Sequence, residues 1–174
     1  PTAWALWIAN KGYPDLRLCL LFFLGTVFMR AAGCVINDIA DRNIDKHVSR
    51  TLHRPLAANE ISLLGAFTAL GLLLFAALLV LINLPLSCYP WALLAVFVTF
   101  LYPFCKRFIN APQMVLGLAF SMGIPMAYAA SNVAVNRETL LLFCINFCWI
   151  VAYDTMYAMT DKADDLKIGV KSTA

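Results

Sequence analysis

The chain has 174 residues, of which 62% are hydrophobic and only 13% are charged, and its formal net charge is +3. Charged residues make up about a quarter of an ordinary soluble domain, so this composition excludes such a domain and favours a protein that is embedded in a lipid bilayer. The basic residues lie beside acidic ones in the polar segments, which leaves no long basic patch of the kind that nucleic-acid binding requires.

The first predicted element is a short helix at the start of the chain. Apolar sequence begins at residues 4–8 and is followed by a polar turn at residues 10–14. At a rise of 1.5 Å per residue, this helix covers about half of a bilayer core. We therefore expect the remainder of the span to lie upstream.

Apolar runs that could cross a hydrocarbon core of ~30 Å as helices then recur along the chain. Polar or proline-containing turns separate them, and they occupy residues 16–36, 61–82, 91–105, 113–130 and 139–159. The predicted fold is all-α, a multi-span bundle of transmembrane helices. Residues 1–174 are expected to form part of a single membrane domain that also needs helices on the N-terminal and C-terminal sides.

Most of the lysines and arginines lie in the loops that follow the first, third and fifth spans. Positive residues in short loops favour the cytoplasmic side of a membrane. These three loops are therefore predicted to share the cytoplasmic face, where residues distant in sequence can build one site.

An acidic constellation follows the first span at residues 37–45, which read Asn-Asp-Ile-Ala-Asp-Arg-Asn-Ile-Asp. Asp38, Asp41 and Asp45 lie within about 60° of one another if the span continues as a helix. A single Asp at such a position is usually a solvated loop end or a helix cap. Three carboxylates on one face repel one another unless a cation lies beside them.

A second acidic constellation ends the fifth span. Asp161 and Asp165 follow Asp154 by seven and eleven residues. On a helix, these spacings return both to within about 20° of the direction of Asp154. Oxygen ligands in close groups are what hard divalent cations prefer. Mg²⁺ takes much of its shell from water or phosphate oxygens, so the two acidic constellations predict a receptor for a diphosphate bridged by metal.

Both constellations resemble motifs of the UbiA prenyltransferase superfamily, without gaps. Residues 37–45 are similar to N-D-x-x-D-x-x-x-D, and residues 154–172 to D-x-x-Y-A-x-x-D-x-x-D-D-x-x-x-G-x-K-S. Residues 30–34, 102–107 and 112–117 resemble the 4-hydroxybenzoate branch of the family. The resemblance covers the whole chain but not a whole enzyme, because the family has nine membrane helices.

The resemblance implies two groups of oxygen ligands around a Mg²⁺–diphosphate unit: Asn37, Asp38, Asp41 and Asp45 in one, and Asp161, Asp164 and Asp165 in the other. Arg50 and Arg54 are expected to contact the diphosphate, because guanidinium groups suit phosphate oxygens. The alternative is that both are ordinary basic loop residues. Lys162 is a further candidate for substrate binding.

The resemblance also implies a site for the aromatic acceptor. Arg107 is expected to bind the carboxylate of 4-hydroxybenzoate. Asp154 lies two turns deeper than Asp161, with Tyr157 one turn away, and either Asp154 or the diphosphate itself is the candidate base for the ring proton. Arg30 lies within the first span and must face other helices, since an unpaired Arg in lipid is costly. Its partner is expected to be a substrate anion or Asp154.

The function expected from these residues is Mg²⁺-dependent transfer of a polyprenyl group from polyprenyl diphosphate to 4-hydroxybenzoate in ubiquinone biosynthesis, in a bacterial inner membrane. Three alternatives stay open. A UbiA-type enzyme could act on an acceptor of the menaquinone, haem or chlorophyll pathways. A cation-coupled transporter would use the acids as ion ligands near the bilayer midplane. A CDP-alcohol phosphotransferase would show one compact acidic motif instead of two.

Overall fold

The computed structural model describes the backbone of residues 1–168, 171 and 173, and their side chains except those of Lys106, Asp161 and residues 163–168. Every regular element in this part of the chain is helical. The α-helices are α1 (Thr2–Ala9), α2 (Leu16–Asp41), α3 (Leu63–Leu81), α4 (Tyr89–Phe108), α5 (Pro112–Ser121), α6 (Gly123–Ala130) and α7 (Arg137–Ile168), with short 3₁₀ helices at Asp45–His47 and Leu86–Cys88.

Five helical stretches are long and apolar enough to cross a membrane. They are Leu16–Asp41, Leu63–Leu81, Leu86–Cys105, Pro112–Ala130 and Arg137–Thr160. The predicted all-α, multi-span fold is thereby confirmed. Many of their large apolar side chains point outward, which suits a chain surrounded by lipid, where helices satisfy their own backbone polar groups.

Side-chain caps begin three of the spanning helices. At the start of α2, the Asp15 carboxylate accepts a hydrogen bond from the Arg17 N–H over 3.0 Å. The Ser62 hydroxyl accepts a hydrogen bond from the Gly65 N–H at the start of α3, over 3.1 Å. At the start of α7, the Asn136 side chain accepts from the Thr139 N–H over 2.9 Å, and the Asn136 N–H donates to the Thr139 hydroxyl over 3.3 Å. These bonds satisfy backbone N–H groups that a helix start leaves without a partner.

The fourth span has the predicted length, but it is not one continuous helix. It breaks at Met122, between α5 and α6. Pro125 has no N–H to donate to the carbonyl of Ser121 four residues earlier, and Gly123 is a weak helix former. The main neighbours of the two halves differ, because α5 packs on α4 and α7 whereas α6 packs mainly on α1 and less on α4 and α7.

The expectation that α2 continues through Asp45 is wrong. The helix ends at Asp41, and Asp45 begins a separate 3₁₀ helix. The Ile44 N–H donates to the Asp41 carbonyl over 2.8 Å. This hydrogen bond joins residues three apart, as in a 3₁₀ turn, and not four apart as in an α-helix. Asp45 therefore does not stack above Asp38 and Asp41 on one helix face.

Candidate functional site

The ends of α2, α4 and α7 meet on one side of the bundle. The Arg107 guanidinium, at the end of α4, donates to the Ala40 carbonyl of α2 over 2.8 Å. The guanidinium carbon of Arg50, in the loop after α2, lies 5.0 Å from the ring centroid of Tyr157 on α7. Residues far apart in sequence are thus gathered at the end where the acidic motifs lie.

Arg54 bridges the two outer acids of the first motif. Its Nη1 lies 2.9 Å from Asp38 Oδ1 and 3.0 Å from Asp45 Oδ2. The Asp45 side chain is only 8% exposed, whereas those of Asp38 and Arg54 are 30% and 29% exposed. Asp38 and Asp45 therefore lie close to each other, as predicted. The turn after Asp41 brings them together, and not a shared helix face.

The first predicted ligand group consists of oxygen donors that lie close to one another along the chain. Asp41 is 3% exposed at the end of α2, and Asn37 lies half-buried one turn earlier. Carboxylate and amide oxygens are the donors that Mg²⁺ prefers. Among the side chains that the structure describes, no three acidic, His or Cys groups converge as a metal site.

The second predicted ligand group lies on α7, whose backbone is helical from Arg137 to Ile168. Asp154 and Asp161 are on this one helix, as their spacing predicts. The side chains of Asp161, Asp164 and Asp165 lie outside the described part of the structure. Their role as metal ligands therefore stays a prediction.

Deeper in the bundle, a polar cluster joins α2, α4 and α7. Tyr102 of α4 interacts electrostatically with Asp154, Asp41 and Arg30. Tyr153 of α7 interacts with Asp154 and Arg30. Asp154 and Arg30 thus act on the same two tyrosines, and their direct pairing stays a prediction.

Arg30 is turned towards α5. Its guanidinium carbon lies 5.6 Å from the ring centroid of Phe120, and its Nη1 donates to the Cys34 sulfur over 2.6 Å. The residue is exposed in this chain, yet these contacts point the guanidinium towards other helices and not outward from α2. An aromatic face beside the guanidinium reduces the cost of an Arg at this depth.

The other predicted substrate residues lie at the rim of this region. Arg107 is exposed, and its guanidinium carbon lies 5.8 Å from the ring centroid of Phe104. A guanidinium carries five N–H donors, so the bond to Ala40 uses only part of its capacity. Tyr157 is 58% exposed, and Lys162 is exposed on α7.

The structure adds residues that the sequence analysis did not select. Tyr102 and Phe120 belong to the deep cluster described above. The Gln113 side chain, in a residue that is 3% exposed, accepts a hydrogen bond from the Thr173 N–H over 3.2 Å, which ties the segment after α7 to the start of α5. A polar or aromatic residue inside an apolar span is the signal that could have identified Tyr102 and Gln113.

A sequence model of the UbiA prenyltransferase family matches residues 1–174. The 4-hydroxybenzoate octaprenyltransferase of Legionella pneumophila is 67% identical over 174 residues, and that of Acinetobacter baylyi is 52% identical. Both alignments cover all of this chain. The chain spans 62% of the first relative and 60% of the second.

Two solved structures are similar in fold. A UbiA homolog from Aeropyrum pernix K1 has a TM-score of 0.82 and 26% identity, over 98% of this chain and 67% of that chain. A UbiA homolog from Archaeoglobus fulgidus, bound to GPP and Mg²⁺, has a TM-score of 0.76 and 20% identity, over 99% of this chain and 65% of that chain. At that identity, the second likeness concerns the fold alone.

Proposed function

The chain belongs to the UbiA prenyltransferase family, and from this premise we propose that the whole protein prenylates 4-hydroxybenzoate. The reaction takes a polyprenyl group from polyprenyl diphosphate, requires Mg²⁺ and serves ubiquinone biosynthesis. One observation carries the proposal: acids of α2, basic residues of the next loop and Tyr157 of α7 gather at one end of the bundle. The names of the Legionella and Acinetobacter relatives support the choice of acceptor.

We assign the diphosphate to the end of α2 and the loop that follows it. Arg50 and Arg54 lie there, and guanidinium groups bind phosphate oxygens through paired N–H donors. Lys162 adds a further cation from α7. In this proposal, two groups of oxygen ligands would hold Mg²⁺: Asn37, Asp38, Asp41 and Asp45 on one side, and Asp161, Asp164 and Asp165 on the other. When bound, Mg²⁺ supplies neutralisation of the charge that develops on the departing diphosphate.

We assign the aromatic acceptor to the space between α2, α4 and α7. Arg107 binds the carboxylate of 4-hydroxybenzoate with N–H groups other than the one directed at Ala40. Tyr102 and Asp154 lie deeper, as electrostatic neighbours. Arg30 is the second basic residue of this region and faces the same cluster.

The proposed chemistry is electrophilic aromatic substitution. The bond between the prenyl carbon and the diphosphate oxygen breaks, the electron pair leaves with the diphosphate, and Arg50 and Arg54 stabilise its charge. The ring carbon beside the phenolic oxygen attacks the allylic cation and forms a carbon–carbon bond. Asp154 accepts the ring proton, which restores aromaticity. Exclusion of water by the surrounding helices protects the cation from hydrolysis.

The proposed location is the bacterial inner membrane, with the acidic motifs on the cytoplasmic face. Most of the basic residues lie at or beyond the C-terminal ends of α2, α4 and α7, which favours that side. A polyprenyl tail has little solubility in water, so it would lie along the apolar spans and the lipid beside them.

One feature of the structure fits the transporter alternative. The fourth span is broken, and transporters bind their substrates at discontinuous helices. Ser121 at this break accepts a hydrogen bond from the Asn146 side chain over 2.9 Å. Asp38 and Asp45, in contrast, lie at and beyond the end of α2. The acids are therefore placed for a substrate at one membrane surface, which favours the transferase.

The test uses the full-length protein in membrane vesicles with polyprenyl diphosphate, Mg²⁺ and labelled 4-hydroxybenzoate. Wild type is compared with Asp41→Ala and Asp161→Ala. Glu60→Ala is the matched control, because Glu60 is an exposed acid in the loop after α2. We expect the prenylated acid to form in wild type and the control, to require Mg²⁺ and to be absent in both Asp variants.

Two results would contradict the proposal in different ways. If the wild type prenylates another aromatic compound but not 4-hydroxybenzoate, the assigned acceptor is wrong and the prenyltransferase assignment stands. If Asp41→Ala and Asp161→Ala both keep the wild-type rate, the two acidic motifs do not form the diphosphate site.

A further inference from the structure

Arg54 stands between two carboxylates that the proposed function gives to the metal. Both contacts come from one atom, Nη1, at 2.9 Å from Asp38 and 3.0 Å from Asp45. Because the Asp45 side chain is 8% exposed, water screens its charge poorly and a nearby cation is needed. Arg54 provides such a cation in the structure.

The arrangement has a consequence for any small divalent ion. Mg²⁺ binds its oxygen ligands at about 2.0–2.1 Å in a near-octahedral shell. A cation held by Asp38 and Asp45 would compete with Arg54 for these carboxylates, because Arg54 Nη1 already contacts Asp38 Oδ1 and Asp45 Oδ2 at 2.9 and 3.0 Å. Arg54 must then withdraw from both acids, and its half-buried guanidinium requires another anion.

A diphosphate provides that anion. Arg54 and Arg50 belong to the same loop, and Arg50 lies against Tyr157 of α7, on the side from which the second acidic motif comes. Guanidinium binds phosphate oxygens at least as well as it binds carboxylates.

We propose that Arg54 exchanges partners during substrate binding, from Asp38 and Asp45 in the free protein to the diphosphate in the complex. This exchange couples the two ligands: metal alone must displace Arg54 without offering it an anion, and diphosphate alone must compete with two carboxylates. Each ligand therefore tightens the binding of the other by the same factor. The inference rests on the proposed function, because it takes prenyl diphosphate as the anion.

The test measures binding and not turnover. Full-length protein in detergent is titrated with Mn²⁺ as the probe for Mg²⁺, and free Mn²⁺ is followed by electron paramagnetic resonance. Titrations are made with and without geranyl S-thiolodiphosphate, an unreactive diphosphate analogue, and protein-free titrations correct for its own affinity for Mn²⁺. Wild type is compared with Arg54→Gln and with Arg42→Gln, which removes the same charge from an exposed residue of the same loop.

We expect Arg54→Gln to bind Mn²⁺ alone about tenfold more tightly than wild type, because its two acids have lost their internal counter-ion, and to lose most of the tightening that the analogue causes. Arg42→Gln should behave as wild type in both titrations. Arg54→Lys keeps the charge but not the reach of the guanidinium, and should fall between the two. It serves as the test variant if Arg54→Gln does not give a folded protein.

The inference is overturned if Arg54→Gln, or Arg54→Lys in its place, binds Mn²⁺ alone no more tightly than Arg42→Gln does while wild type still binds both ligands. That result leaves the proposed function standing. If wild type binds no Mn²⁺ even with the analogue present, the diphosphate site itself is wrong, and the inference falls with it.

Discussion

Arg50 lies over the ring of Tyr157, with its guanidinium carbon 5.0 Å from the ring centroid. The contact fastens the loop after α2 to the last described helix, next to the second acidic motif. A cation over an aromatic face is stabilised by the ring quadrupole and does not require a hydroxyl group. The pair therefore lets the role of the ring be separated from the role of the Tyr hydroxyl.

Tyr157→Leu should weaken the binding of polyprenyl diphosphate, whereas Tyr157→Phe should not. Loss of the ring removes about 0.5–2 kcal/mol of cation–π stabilisation, which corresponds to a rise in KM of roughly 2- to 30-fold. Phe keeps the ring face over which Arg50 lies. The measurement is KM for the diphosphate in vesicles, and equal losses in both variants would show that the hydroxyl is what matters.

Gly117→Ala should destabilise the protein, because α5 and α7 approach closely at this position. An added Cβ would lie 2.8 Å from Phe147 Cδ2 and 3.3 Å from the Phe147 carbonyl oxygen. Overpacking of this kind costs about 1–3 kcal/mol. Gly71→Ala is the control, since nothing lies within 4 Å of its added Cβ. The melting temperature in detergent should be lowered by Gly117→Ala alone. Equal melting temperatures of the two variants would refute the close approach of α5 and α7 at this position.

Asn146 and Ser121 should show energetic coupling. The Asn146 amide donates to the Ser121 hydroxyl over 2.9 Å in a buried position between α7 and α5. Such interhelical bonds contribute about 0.6 kcal/mol on average and up to about 1.7 kcal/mol in membrane proteins. A double-mutant cycle with Asn146→Leu and Ser121→Ala measures this term from unfolding free energies. Cys148→Ala, an exposed change on the same helix, should combine additively with Ser121→Ala, and additivity in the Asn146 cycle would mean that the bond contributes nothing.

Arg107→Lys should raise KM for 4-hydroxybenzoate, because a Lys ammonium cannot form the paired bonds of a guanidinium with a carboxylate. Loss of a hydrogen bond to a charged group costs about 1.5–3 kcal/mol, or roughly a 10- to 160-fold rise in KM. The methyl ester of 4-hydroxybenzoate lacks the carboxylate and tests the cause: wild type and variant should use it equally poorly. Arg137→Lys, an exposed change at the start of α7, is the control. A KM for the acid that Arg107→Lys leaves unchanged would remove Arg107 from the acceptor site.

The spans could be predicted from the sequence because lipid imposes one rule on every residue of a span, namely that it be apolar and helical. The end of α2 and the break at Met122 could not be predicted from that rule. Both depend on local backbone bonds: the Ile44 N–H turns back to Asp41, and Pro125 leaves the Ser121 carbonyl without its helical donor. The break did have a signal in the sequence, since Gly123 and Pro125 lie within the same apolar run.

The site residues could be predicted as two motifs, but their pairing could not. That Arg54 bridges Asp38 and Asp45 depends on how the loop after α2 folds back, and spacing along the chain does not determine it. Tyr102 of α4 has Asp41 of α2 and Asp154 of α7 among its charged neighbours. Contacts of this type arise from packing between helices that are distant in sequence.

The divided fourth span has a consequence for biosynthesis. Its second half, α6, packs mainly on α1, which is already made when α6 emerges from the ribosome, whereas its first half, α5, packs both on α4, which is made earlier, and on α7, which is made afterwards. Ser121 therefore enters the bilayer before Asn146 exists. Its hydroxyl donates to the Gly117 carbonyl of its own helix over 2.7 Å, so the polar group is already satisfied during that interval, and Asn146 adds its bond only when the last helix arrives.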